Sequence, residues 1–249
     1  MSNSQLVKHT HLSPYTSGKR KYNISRITIH CYVGQCKMKD AGAFFSNPRY
    51  KVSCNYCVAT DGICLIADES VRSWCSSSSD NDNRSITIEV ASDKYHPYRV
   101  KDDVYNNLIN LLIDICKRNN KKRLVWINDK TQALCYKTKD DELLLTVHKW
   151  FKNKECPGEF LLSKHNEIVE KVNKALNAGE CDEMGCPYWK NGKCTKDVKV
   201  ETPAKKSNEE IAKEVIKGNW GNGTDRKNRL ESAGYNYREI QNIVNKMLK

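Results

Sequence analysis

The sequence predicts an α/β domain followed by a small all-α unit, and three observations carry that reading. Short runs of alternating or continuous apolar residues read as strands. Between them lie longer stretches with apolar residues at helical spacing. Past residue 179 the character changes to a cysteine-bearing segment, a Lys-rich stretch and a glycine-interrupted helical tail.

The elements follow in chain order. Residues 24–30, ISRITIH, alternate and predict a strand that runs into a Gly-containing loop. Residues 55–67, NYCVATDGICLIA, predict a β-hairpin around Asp61-Gly62. In 85–90, SITIEV, Ile86, Ile88 and Val90 share one face and Thr87 and Glu89 the other. Val104, Leu108, Leu111, Leu112 and Ile115 recur at helical spacing across 103–118, and 123–127, LVWIN, is an apolar run fit for a buried strand. Residues 159–177 predict a helix with Leu161, His165, Ile168, Val172 and Leu176 along one side and Gly179 just past its end. On that apolar side His165 reads as structural.

Residues 181–194 hold Cys181, Cys186 and Cys194 around an Asn-Gly turn. Three cysteines could form a small metal knuckle, but the spacing is not a standard zinc pattern and reads more simply as free thiols or an adventitious disulfide in a loop. Residues 195–207, polar, Lys-rich and interrupted by Pro203, read as a linker. Ser207 with Glu210 forms a capping-box pattern, GNWGNG at 218–223 ends the helix it starts, and two more helical stretches cover 225–232 and 236–248. The expected organisation is therefore a domain over 1–178, a connecting segment over 179–206 and a helical bundle over 207–249.

Composition narrows the partners without choosing one. Forty-two Lys and Arg against 30 Asp and Glu give a net charge of +12, which suits nucleic acid, a membrane surface or an anionic wall polymer alike. The charge is spread along the chain, whereas a dedicated nucleic-acid binder shows a dense basic stripe, and paired CxxC motifs are missing, so no nucleic-acid partner is expected. No window approaches the roughly 20 apolar residues of a membrane helix, so no stable membrane insertion is expected. The first 20 residues have no apolar core of a signal peptide, and 12 cysteines without an export signal imply mostly reduced thiols.

His30 ends an alternating strand, and His148 precedes Cys156 by eight residues in TVHKWFKNKECPG. Two imidazoles and a thiolate make a three-ligand set of the kind catalytic zinc sites use, with a fourth position left for water. Such spacing is a common coincidence and by itself assigns nothing.

The segments TIHCYVGQ, NYCVATDG, SWCSSSSDNDNRSITIEV and LTVHKWFKNKECPGEFL occur in an order that resembles the zinc-dependent N-acetylmuramoyl-L-alanine amidases, a superfamily shared with peptidoglycan recognition proteins. The resemblance covers about residues 20–178, and its most specific piece is His-x7-Cys-Pro with Lys two before the Cys. It implies a central mixed β-sheet flanked by helices, with His30, His148 and Cys156 as Zn2+ ligands. It also implies Glu89 as strand-borne general acid/base and Lys154 as stabiliser of developing negative charge. Two positions depart from the pattern: Cys54 stands where many relatives have Tyr or another residue, and Cys75, after Trp74, where many have His.

Residues 207–249 resemble the CW-type wall-binding repeats of phage lysozymes, which implies a three-helix bundle that recognises a muropeptide or glycan. Trp220, Asp225 and Arg226 would then contact the wall. Trp220 is equally suited to the core of so small a bundle, and Asp225 and Arg226 to a helix start and its solvated partner. Together the resemblances imply a phage or prophage endolysin that hydrolyses the bond between N-acetylmuramic acid and L-Ala for host lysis. It would be held in the host cytoplasm and reach the wall through a separate holin. A recognition protein that binds peptidoglycan without cutting it is the alternative. Non-hydrolytic relatives commonly lack the zinc cysteine, whereas Cys156 is present.

Overall fold

The strand that carries His30 lies near the middle of a sheet and is buried on both faces. The computed structural model describes residues 2–177, 189–190, 193–194 and 206–248. The chain divides into two units, Met1–Pro187 and Tyr188–Lys249. Cys181 and Cys186, Gly179 and most of the expected linker lie outside the described residues.

In the first unit the order is β1 (Val7–Thr10), β2 (Arg26–Val33), α1 (Met38–Ser46), β3 (Tyr56–Ala59), β4 (Gly62–Leu65), α2 (Ser79–Arg84) and β5 (Ser85–Ser92). Then come α3 (Asp102–Arg118), β6 (Arg123–Val125), α4 (Lys130–Cys135), β7 (Glu142–Val147) and, after a 3-10 turn at His148–Trp150, α5 (Gly158–Asn177). The seven strands pair in the order β1-β4-β3-β5-β2-β7-β6. Only β3 and β4 are antiparallel, so the sheet is mixed and flanked by helices.

The hairpin differs in one detail from the expected Asp61-Gly62 turn. Ala59 pairs with Gly62, which leaves Thr60 and Asp61 as the two-residue loop. Gly62 opens β4 at φ +145°, a conformation that favours glycine, and its backbone lies against the side chains of Lys8 and Met38.

Periodicity explains the central pair. Ile27 and Ile29 of β2 stand beside Ile86 and Ile88 of β5, all fully buried. They share one core cluster with Leu108, Leu112 and Ile115 of α3 and Leu161, Ile168 and Val172 of α5. Burying each such side chain contributes about 1.5–3 kcal/mol. The alternate residues are polar: Thr28 Oγ1 bonds Ser85 Oγ at 2.6 Å and Thr146 Oγ1 at 2.8 Å, and accepts from Asn81 Nδ2 at 2.9 Å. This network satisfies hydroxyls that would otherwise be unpaired in the interior.

His165 is the structural residue that its helical position suggests. It is fully buried, its Nδ1 lies 2.7 Å from the Leu161 carbonyl, and its ring sits 4.4 Å from that of Trp126. Burial lowers its pKa from 6.5 to about 4. Between those values the unfolded chain takes up a proton that the folded chain refuses. His165 therefore contributes stability fully present above pH 6.5 and lost as pH falls toward 4, with a slope of about 1.4 kcal/mol per pH unit. His165→Leu should flatten the acid side of a metal-free denaturation profile across that window. A profile parallel to the parent's would show that His165 is not the titrating group.

In the second unit a two-stranded ribbon, β8 (Trp189–Lys190) and β9 (Lys193–Cys194), precedes three helices, α6 (Asn208–Ile216), α7 (Gly223–Ser232) and α8 (Tyr237–Met247). The expected capping box is formed: Ser207 Oγ accepts from Glu210 N at 3.2 Å, and Glu210 Oε2 accepts from Ser207 N at 2.8 Å. Ile211, Ala212, Val215, Leu230, Ile240 and Val244 make its core. Among the described residues no helix is long and apolar enough to cross a membrane.

Candidate functional sites

Strand register assembles the centre. His30 pairs with Glu89 across β2 and β5, so imidazole and carboxylate leave the sheet on the same side. Val147, the last residue of β7, pairs with Ile29, which brings the next residue, His148, level with His30. The 3-10 turn that follows folds the chain back, and Lys149 N donates to the Cys156 carbonyl at 3.1 Å. Cys156 thus returns to a histidine 126 positions earlier.

The donor atoms of His30, His148 and Cys156 all lie within 4.8 Å of one another. Cys156 Sγ is 3.4 Å from His30 Nδ1, and the two imidazole centroids are 5.0 Å apart. His30 is 1% exposed, and its Nε2 is buried with no hydrogen-bond partner. Burial together with His148 holds the His30 pKa well below 6.5, and burial with the nearby Lys154 ammonium lowers that of His148. Both rings are therefore neutral at pH 7, the form in which imidazole binds a metal. The Cys156 thiol is held well above its usual range by its hydrogen bond with Cys31 and by burial. A divalent cation opposes that trend, because it favours thiolate.

Two neutral nitrogens and one sulfur suit zinc in a tetrahedral site with one position left over. A second set, His30, Cys75 and Glu89, also lies within 4.8 Å. In that set Cys75 Sγ lies 3.8 Å from Glu89 Oε1.

Glu89 Oε1 is 4.0 Å from His30 Nδ1, and burial raises its pKa to about 7. A carboxyl so poised exchanges a proton near neutrality, as a general acid/base requires. Lys154 is exposed on the segment before Cys156 and shares a cavity wall with His148. Cys54 is wholly buried beside Glu89, so its thiol does not reach solvent.

The Cys75–Glu89 contact was not read from the sequence; the only signal was the Trp-Cys pair ahead of a serine run. Arg72 and Lys51, which line the same cavity as His148, were not singled out either. Nothing in their spacing marks them.

In the second unit Trp220 is half-buried against the core, with Nε1 donating to Glu214 Oε2 at 3.0 Å and the ring edge-on to Tyr235. Asp225 Oδ2 pairs with Arg229 Nε at 2.9 Å. The same oxygen crowds the place where a Cβ on Gly221 would stand, and Gly221 has φ +68°, a conformation that favours glycine. Arg226 is engaged internally: Nε donates to the Gly221 carbonyl at 3.0 Å, Nη2 to Asn222 Oδ1 at 2.8 Å and Nη1 to Gln241 Oε1 at 3.2 Å. Of the three, Asp225 is the most exposed.

Residues 20–159 match the family model described as N-acetylmuramoyl-L-alanine amidase, and residues 209–248 match that of the CW_7 repeat. Similar solved structures include PlyL, at 16% identity over 66% of this chain and 95% of that one, with a TM-score of 0.43. The PlyG catalytic domain is 16% identical over 70% and 98% of the two chains, with a TM-score of 0.45. The hydrolase AmiA of Staphylococcus aureus, solved with its ligand, is 12% identical over 71% and 85%, with a TM-score of 0.46. No curated protein matches the chain in sequence.

Proposed function

Because the chain belongs to the N-acetylmuramoyl-L-alanine amidase family, we propose that it is a zinc-dependent endolysin cutting the amide between N-acetylmuramic acid and L-Ala. The convergence of His30, His148 and Cys156 within 4.8 Å, beside a half-buried Glu89, carries this reading.

An amide is a poor electrophile, so its hydrolysis needs an activated carbonyl and a better nucleophile than bulk water. Zinc, when bound by His30, His148 and Cys156, supplies Lewis acidity toward the carbonyl and acidifies water. Glu89 takes the proton from the attacking water and returns it to the departing L-Ala amine. The Lys154 ammonium faces the oxygen on which negative charge builds, so its stabilisation grows toward the transition state. Neutral His30 and His148 each keep a ring nitrogen lone pair available for the metal.

Digestion of purified peptidoglycan should release new L-Ala amino termini and no new reducing sugar ends, and a strong chelator should stop it. New reducing ends alone would replace the amidase reading with a glycosidase. The setting proposed is a phage or prophage gene product, stored in the host cytoplasm and reaching the wall through a separate holin lesion.

The CW_7 repeat supports a wall-binding role for the second unit, with Trp220, Asp225 and Arg226 as the proposed contacts. Tethering raises the local concentration of the catalytic unit at the wall. Removing residues 207–249 should leave cleavage of soluble muropeptide intact and reduce lysis of whole sacculi, most visibly at low enzyme concentration. Diffuse charge is screened at ~0.15 M salt more than a specific pocket is, so the isolated repeat should still bind sacculi there. Equal lysis by both forms would end the targeting role.

A further inference from the structure

Cys57 and Cys36 are hydrogen-bonded thiol to thiol, and so are Cys156 and Cys31. All four are free cysteines, and the two pairs differ in surroundings. Cys57 and Cys36 are 0% and 6% exposed and lie inside the core. The second pair opens to solvent. Cys156 is half-buried, and Cys31 lines a cavity of about 360 Å³ whose wall includes Glu89 and His148.

Pairing between β7 and β2 ends at Val147 and Ile29. Beyond that point the Cys156 segment takes up the space beside β2. Its Sγ stands 3.4 Å from His30 Nδ1 and against both the thiol and the backbone amide of the next residue, Cys31. The segment is held there on either side of Cys156. Tyr98 Oη donates to Glu155 Oε2 at 2.6 Å, and Phe160 N donates to the Pro97 carbonyl at 3.0 Å. Two thiols so placed meet without a search through chain conformations, which favours a bond between them over bonds to more distant cysteines. The Cys156 sulfur is therefore open to two incompatible bonds, one to zinc and one to Cys31. A metal takes the thiolate, and a sulfur tied up in a disulfide no longer offers one. Of the three-donor set only His30 and His148 would then remain.

We propose that Cys31 and Cys156 form a redox modification site: in the zinc-free chain they close a disulfide, which bars zinc from reloading. The oxidant is a small disulfide such as oxidised glutathione. Cys156 gives up its proton and attacks one sulfur of that disulfide, forming a mixed disulfide and releasing one glutathione thiolate, which takes up the proton. The Cys31 sulfur then attacks the Cys156 sulfur, and the second glutathione leaves with the Cys31 proton. Two protein thiols are oxidised, and one glutathione disulfide is reduced to two thiols. Bound zinc blocks the first step by holding the Cys156 thiolate, so the switch rests on the reading of Cys156 as a zinc ligand. In a reducing cytosol the pair stays open and zinc loads. In an oxidising exterior a chain that sheds zinc is locked off.

The test equilibrates the full-length chain with oxidised and reduced glutathione at set ratios, once stripped of zinc by a chelator and once with excess zinc. Free thiols are then alkylated, and cross-linked peptides are mapped by mass spectrometry. The stripped chain should carry a Cys31–Cys156 disulfide, and excess zinc should lower its yield at least about 10-fold, because zinc binds only the reduced form. After removal of glutathione, the oxidised chain titrated with zinc alone should bind at least about 100-fold more weakly than the reduced chain, the scale expected for loss of a thiolate ligand. Cys31→Ala should stop at the mixed disulfide of Cys156 with glutathione. If Cys31→Ala does not fold, the parent's cross-link and its suppression by zinc decide. A parent chain without the cross-link at any ratio, or with Cys156 joined to another cysteine, would overturn the site. Should that happen while Cys156→Ser still loses zinc, the switch falls and the ligand reading stands. A cross-linked chain that binds zinc as tightly as the reduced one would end both the switch and the place of Cys156 among the ligands.

Discussion

Cys156→Ser is expected to lower bound zinc from one ion per chain to near none and to reduce amide hydrolysis by at least about 100-fold. Losing only an outer-sphere partner of a metal ligand already costs 10–100-fold, and here a thiolate ligand itself is replaced by a weakly coordinating hydroxyl. The change is small in volume, and the neighbouring His30 and His148 remain. The fold of the first unit should therefore persist, because its core lies in the isoleucine-rich face of the sheet. Elemental analysis and peptidoglycan digestion read the two effects separately. A Cys156→Ser protein that keeps stoichiometric zinc would exclude Cys156 as a ligand and move the metal to another set, His30–Cys75–Glu89 being the available one.

Glu89→Gln should lower turnover by about 10²–10⁴-fold, the usual range for general acid/base catalysis, while zinc content stays at the parent value. The amide keeps the size and the contact with Cys75 but no longer accepts a proton. The parent pays for burying an ionisable carboxyl, which raises its pKa to about 7. A neutral amide in the same place should leave the melting temperature equal or slightly higher. Zinc loss in Glu89→Gln would make this residue a ligand, and near-normal turnover would require another base.

Much of the fold was legible because its signals are local. The alternation in 85–90 placed Glu89 opposite to Ile86 and Ile88, and that is the parity observed. Ser207 and Glu210 predicted a cap that closes in both directions. The helices α3 and α5 followed from the 3.6-residue recurrence of Leu and Ile. Less legible was β7, where LLLTV is buried on both faces and gives no period to distinguish strand from helix. The edge strand β1 is four residues long and half-buried, too short for a pattern. The six-residue helices α2 and α4 are set by Ser78 and Asp129 caps rather than by an apolar stripe.

The sequence by itself determined which residue types are available and which side of each strand or helix they occupy. It supplied the two imidazoles, the thiolate, the carboxylate on the polar side of β5 and the family likeness over residues 20–159. Tertiary structure decided which of these meet. His148 comes level with His30 only because Val147 is registered on Ile29, a parallel pairing 118 positions apart in the chain. It also decided that Arg226 is spent on Gly221, Asn222 and Gln241, and that Cys75 Sγ meets Glu89 Oε1. Caps and periodicities are interactions between near neighbours, so a short window of sequence contains both partners. Parallel strand register and the sharing of side-chain donors join residues that the chain keeps far apart, and they are fixed only when the whole core packs.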